Sequence, residues 1–129
     1  MATFLLDTSV IIDAINDRHR RRQLLRELLQ QGDTLACCPI NIAEVYAGLR
    51  PSEEQNTKQF LETLELYPLT WPVCEMAGLF KRDYTKKGHP LNLADALIAA
   101  TAIHNNFPLL TDDTKDFPMP EITLYPLPK

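Results

Sequence analysis

Six acidic residues in this chain stand at places where chemistry could gather them: Asp7, Glu44, Asp95, Asp112, Asp113 and Asp116. Asp7 directly closes the apolar run Thr3 to Leu6. Glu44 follows a second apolar run, Thr34 to Cys38, by about one helical turn. Asp95 opens the alanine-rich stretch LADALIAATAIH. Asp112 and Asp113 follow the run Pro108 to Thr111, and Asp116 comes one turn later. Carboxylates brought together raise one another's pKa unless something positive neutralises them. A hard divalent cation with oxygen ligands is the usual partner, and Mg²⁺ is typically held by a few carboxylates, waters and substrate phosphate. Four distant segments delivering acids to one place would therefore make a metal site.

Each acid also has a purely structural explanation. Glu44 lies three residues after Asn41, and Asp95 three after Asn92, the spacing of a capping box at a helix start. Asp112 and Asp113 could be turn residues. Asp7 resists such an explanation, because a carboxylate closing a buried strand needs a partner and no base lies near it in sequence. Asp13 and Asp17 read as solvated helix acids.

The elements that would position these acids alternate in type. Thr3 to Leu6 reads as a buried strand, and Thr8 or Ser9 as the cap of a helix through VIIDAI. Arg18 to Gln31 places leucines at helical spacing and stops at Gly32. A second strand, Thr34 to Cys38, is followed by a short helix over Asn41 to Leu49, stopped at Arg50-Pro51. Ser52 reads as the cap of a helix running to about Leu66, with Gln55 in capping-box position. A third strand is expected at Tyr67 to Thr70, then a helix from Pro72 to Gly88. The helix begun by Asn92 is apolar on nearly every side and should be buried. Strands at Pro108 to Thr111 and Ile122 to Leu127 complete the pattern. Strands separated by helices imply an α/β fold, a parallel sheet with helices on both faces. Ligands of such sheets gather at the carboxyl ends of the strands.

The chain has 129 residues, 45% of them hydrophobic and 23% charged, which is globular composition with room for an ordinary core. A formal net charge of −4 would not by itself suggest a nucleic-acid binder; cations bound in an acidic pocket would offset part of it. Cys37, Cys38 and Cys74 lack metal-binding spacing and read as reduced thiols, the first two on opposite faces of a strand. With scattered His19, His89 and His104 they make no zinc site. The opening MATFLLDTSV has no basic lead and reads as no signal peptide, and no run reaches membrane-spanning length. A soluble, cytoplasmic protein is expected.

Four blocks in order carry a resemblance: FLLDTSVIIDAI, PINIAEVYAGLR, LADALIAATAI and LLTDDTKDF. Together they resemble PIN-domain nucleases, and among them the VapC-type toxins of toxin–antitoxin pairs, along essentially the whole of residues 1–129 as one PIN domain. The resemblance implies a PIN-like central sheet of about five parallel strands. It also implies hydrolysis of RNA phosphodiesters with Mg²⁺ or Mn²⁺. On it Asp7, Glu44 and Asp95 are catalytic acids that hold the main ion, and Asp113, catalytic as well, completes the pocket or helps hold a second ion. Thr8, Ser9 and Thr111 would orient ligands or water; Asp116 completes the closing block, and Asp112 could substitute or merely repel. A homodimer and a cognate antitoxin that blocks the pocket are implied as partners, with RNA, transfer RNA included, as substrate.

RNA must also be held. Arg18, Arg20, Arg21 and Arg22 form one basic run, and Lys81, Arg82, Lys86 and Lys87 another; each could contact phosphates or be a solvated helix face. Two other acid-based chemistries fit less well. A haloacid-dehalogenase-type phosphatase needs a second acid two residues after Asp7, where Ser9 stands. A receiver-type domain needs an acidic pair after the first strand, and here the pair comes late. A non-catalytic PIN module would lack pocket acids, and none of the four is missing. A housekeeping RNA-processing nuclease differs from a toxin only in its cellular effect.

Overall fold

The computed structural model describes residues 1–125, 127 and 128. Five strands, β1 (Thr3–Leu6), β2 (Thr34–Cys37), β3 (Glu65–Leu66), β4 (Leu109–Leu110) and β5 (Leu124–Tyr125), pair in the order β3-β2-β1-β4-β5. All four pairings are parallel. The expected α/β sheet is therefore present, with β1 at its centre. From β1 the chain leads outward to β2 on one side and β4 on the other, the arrangement whose carboxyl edge opens a crevice. The β5 expectation extended through Pro126, which lies outside the described residues.

Strand period decides the two faces. Phe4, Leu6, Leu35, Cys37 and Leu110 point into one cluster with Val10, Ile11, Leu25, Leu28 and Leu61. Leu5, Ala36, Cys38 and Leu109 point into the other, with Ala77, Ile98 and Ala99. Neighbours such as Cys37 and Cys38 thus serve opposite layers, as alternation requires. Helices α1 (Thr8–Ile15), α2 (Arg21–Gln30), α3 (Pro39–Ala47) and α4 (Glu54–Leu61) bring side chains to the first layer, and α5 (Trp71–Lys86) and α6 (Leu93–Asn105) to the second. The burial of α6 is as its composition demands: Ala96, Ile98, Ala99, Ala100, Thr101 and Ala102 are all inaccessible. Cys37 and Cys38 are buried and Cys74 exposed, all as free thiols. Burial pushes the Cys37 thiol up to about 11, so it stays protonated and inert.

Several boundaries differ from expectation, each for a local reason. The first helix is capped by Asp7 rather than Thr8 or Ser9, because the Asp7 carboxylate accepts from the Thr8 backbone N–H at 2.8 Å. Helix α2 begins at Arg21, not Arg18. Asp17, His19 and Arg20 all adopt left-handed φ between 54° and 57°, turning the chain sharply before the helix can start. It ends where predicted: Gly32 has φ 89°, and a Cβ there would stand 3.0 Å from the Met1 sulfur. Helix α3 begins at Pro39, with Cys38 as its cap and Asn41 in its first turn. The segment after Pro51 is a short 3-10 turn before α4, and Glu53, not Gln55, reaches back to the Arg50 N–H at 2.9 Å. Because α4 ends early, the third strand falls at Glu65–Leu66, before the expected Tyr67 to Thr70.

Ile98 is fully buried where α6 meets the sheet. Replacing Ile98 with Ala should lower unfolding stability by about 2–5 kcal/mol, read as a shifted midpoint in urea denaturation. A loss under about 1 kcal/mol would mean the layer repacks freely.

Candidate active site

Asp7 is the pivot of the carboxyl edge. It ends the central strand and is only 5% exposed. Its backbone N–H donates to Leu110 O at 2.9 Å, continuing the β1–β4 ladder. One carboxylate oxygen caps α1 through the Thr8 N–H. The other accepts from the Thr111 hydroxyl at 2.7 Å, with the Ser9 hydroxyl more distant at 3.5 Å. Among the described residues no basic side chain pairs with it. Burial is the chief cause of a pKa raised above the usual carboxylate value; the bonds from Thr111 and Thr8 oppose it, and the charges of Asp113 and Glu44 add to it.

Glu44 reaches the same place from α3. Its carboxylate accepts a 2.6 Å hydrogen bond from the Thr8 hydroxyl, which in turn accepts from the Asn41 amide at 3.0 Å. The Asn41 carbonyl oxygen receives the Cys38 backbone N–H at 2.8 Å. Asn41 is fully buried, so its flexible amide is locked into this chain of bonds. The capping pair of α3 is thus Cys38 with Asn41, which frees Glu44 from capping duty. Read from sequence, Asn41 marked only a helix start; its part in orienting Thr8 had no local signal except its place three residues before Glu44.

Asp95 sits in the first turn of α6, whose cap is Asn92, accepting from the Ala94 N–H at 2.8 Å and the Asp95 N–H at 3.4 Å. The Asp95 carboxyl is pushed up to about 6, mostly by burial and then by the charges of Asp7, Asp116, Glu44 and Asp113. The charges of the other three expected acids, and of Asp116 with them, are thus felt at Asp95, and those of Asp113 and Glu44 at Asp7 as well. Asp113 is exposed, its N–H bonded to the Thr111 hydroxyl at 2.9 Å. Thr111 thereby ties the acid of β1 to the loop that follows β4.

Asp112 is not part of this group. It takes a two-nitrogen fork from Arg21, with Nη2 at 2.5 Å and Nε at 3.4 Å from its two oxygens. This also corrects the expectation for Arg21, which is 3% exposed and therefore closed to RNA. Arg22 is likewise engaged: it donates to the final carbonyls of α1, Ala14 O at 3.1 Å and Ile15 O at 2.8 Å. Arg18 and Arg20 remain exposed, as do Lys86 and Lys87, the latter with its ammonium 5.0 Å from the Tyr84 ring centre. In the second run Lys81 donates to Leu91 O at 2.8 Å, and Arg82 pairs with Asp83.

The donor set suits a hard divalent cation. It is all carboxylate and hydroxyl oxygen, and among the described residues the buried Asp7 carboxylate has no cationic side chain of its own. The acids do not close a ligand shell by themselves: among the described residues no three stand close enough about one point to hold an ion unaided. An ion that keeps several waters, as Mg²⁺ does, needs no such shell.

Residues 4–119 match the PIN domain family. The chain belongs to the PIN-domain family. Within it the chain is of the VapC type, 30% identical to Ribonuclease VapC19 of Mycobacterium tuberculosis over 89% of this chain and 92% of that protein. Its fold superimposes on VapBC2 from Rickettsia felis, solved bound to a DNA fragment from their promoter. That comparison gives a TM-score of 0.81 and 29% identity over 95% of this chain and 97% of that one. A toxin–antitoxin complex from Klebsiella pneumoniae gives a TM-score of 0.76, also at 29% identity, over 95% and 96% of the two chains.

The raised pKa of Asp95 has a sign that can be tested. A carboxyl that holds its proton more tightly folded than unfolded gains stability as pH falls from above 6 toward 4, and loses it as pH rises through that window. In chelator, Asp95→Asn should therefore raise Tm more at about pH 7.5 than at about pH 5. An equal gain at both values would show that Asp95 carries no such strain.

Proposed function

We propose that this chain, one PIN domain over residues 1–129, is a metal-dependent endoribonuclease and acts in the cytoplasm as the toxin of a toxin–antitoxin pair. The observation that carries the reading is the buried Asp7 carboxylate, without a cationic partner among the described residues and electrostatically coupled to Glu44, Asp113 and Asp95. The ribonuclease names of its VapC relatives and the toxin–antitoxin complexes among its structural neighbours support it. No helix among the described residues is long and apolar enough to cross a membrane.

Asp7, Glu44, Asp95 and Asp113 are the residues that would hold Mg²⁺ or Mn²⁺. Such an ion supplies Lewis acidity to a scissile phosphate and acidifies a bound water. The chain's own part is orientation. The Thr111 hydroxyl and Thr8 N–H fix both oxygens of Asp7, and the Thr8 hydroxyl, itself held by Asn41, fixes Glu44. Groups locked in this way need no rearrangement when charge develops, which is where preorganised sites gain rate. Without an ion, burial and the neighbouring acids hold the Asp95 carboxyl at about 6, and a bound cation would offset that accumulated charge. Of the two basic runs, Arg18, Arg20, Lys86 and Lys87 are exposed and would contact the RNA backbone. A cognate antitoxin and a second copy of the chain are the protein partners of this reading.

Purified protein incubated with structured RNAs, transfer RNAs among them, should cut only with Mg²⁺ or Mn²⁺ and not in chelator. Asp7→Asn, checked as folded, should lose activity at least about 100-fold. Equal cutting by both proteins would remove the pocket from the reaction. No cutting and no metal binding by calorimetry would favour a non-catalytic module that binds RNA or protein. Toxicity on expression, relieved by the product of a neighbouring gene, separates a toxin from a housekeeping nuclease.

A further inference from the structure

Asp7 and Arg21 are the charged side chains buried among the described residues. Asp7 belongs to the acid pocket; Arg21 has so far been given only a partner. That partner is Asp112, between Thr111, which holds Asp7, and Asp113, whose charge is felt at Asp7 and Asp95. A fork from Nη2 and Nε onto both oxygens of one carboxylate fixes its orientation as well as its charge. The remaining arm, Nη1, donates to His19 O at 3.2 Å, so the guanidinium is anchored on its other side. The turn that delivers Arg21 is costly, since Asp17, His19 and Arg20 all take left-handed backbone angles before α2 begins.

We propose that Arg21 is a positioning residue that holds Asp112 out of the acid pocket, so that its charge does not compete for the ion. The proposal rests on the reading of that pocket as a metal site. Without Arg21, Asp112 would be a free carboxylate one residue from Asp113, on a loop already crowded with negative charge. An added unit charge several ångströms away at the effective dielectric of a protein surface changes a divalent ion's affinity by roughly tenfold or more. The surplus acid would draw the ion toward itself, binding it more tightly and away from the place where Asp7 and Glu44 are oriented.

Calorimetric titration with Mn²⁺ tests this on wild type, Arg21→Gln, Asp112→Asn and the double variant, with RNA cleavage and thermal melts in parallel. Arg21→Gln should bind Mn²⁺ roughly tenfold more tightly and cleave more slowly. Adding Asp112→Asn to it should return Mn²⁺ affinity to near the wild-type value, although Tm stays low because the brace is gone. Asp112→Asn alone leaves Arg21 as an unpaired positive charge and should weaken Mn²⁺ binding by no more than that one charge does, roughly tenfold. If Asp112→Asn alone weakens Mn²⁺ binding roughly a hundredfold or more, beyond what one unpaired charge does, Asp112 is a ligand and the proposal is wrong; this arm stands even where Arg21→Gln does not fold. If the double variant is as far from wild type in Mn²⁺ affinity as Arg21→Gln, Arg21 is a structural brace only and the proposal is equally wrong. Wild-type protein that binds no Mn²⁺ overturns the metal-site reading itself, and this proposal with it.

Discussion

A carboxylate closes the central strand of this sheet, and the rest of the edge is built around it. Asp7 is almost wholly buried, where an ionised acid is costly unless it is hydrogen-bonded or paired. Two parts of the chain share that task. Its own helix α1 offers the Thr8 N–H and the residue after β4 offers the Thr111 hydroxyl, while the β1–β4 ladder fixes the Asp7 backbone through Leu110. The capping of α1, the register of β4 against β1 and the seating of the acid are therefore one arrangement. Thr111 carries it further, because the same hydroxyl accepts the Asp113 N–H and so sets the start of the last acidic loop.

Charge is handled differently at two places a few residues apart. Around Asp95 the acids are left unneutralised, and burial with mutual repulsion raises that carboxyl to about 6. At Asp112 the charge is cancelled by a buried arginine. An edge that both concentrates and removes negative charge is a tuned edge, suited to admitting a cation at one location rather than anywhere on the surface. The modest net charge of −4 conceals this, since it sums over acids held together and bases held elsewhere. Of the first basic run, Arg21 and Arg22 serve the protein's own backbone and carboxylates, while Arg18 and Arg20 remain at the surface.

Much of this was legible along the chain because it depends on short-range periodicity. Alternation in β1 and β2 predicted two buried faces, and the alanine-rich helix after Asn92 predicted its own burial. Asp7 stood out as an acid ending a buried strand, and the placing of Glu44, Asp95 and Asp113 after other elements followed from the order of strands and helices. Boundaries were less legible where two local options competed: Glu53 won the cap that Gln55 could have made, and α4 ended early, so the third strand fell before Tyr67. The left-handed run before α2 had no glycine to announce it.

The sequence by itself determined the α/β order, the two apolar layers and the acids available at one edge, because these follow from side-chain period and residue type. Tertiary structure alone decided which polar groups face each other. Arg21 meets Asp112 across 91 positions, Thr111 meets Asp7 across 104, and Asn41 meets Thr8 across 33. Hydrogen bonds and ion pairs act over about 3 Å between groups that the chain brings together only when the sheet closes, so nothing in local spacing can announce them.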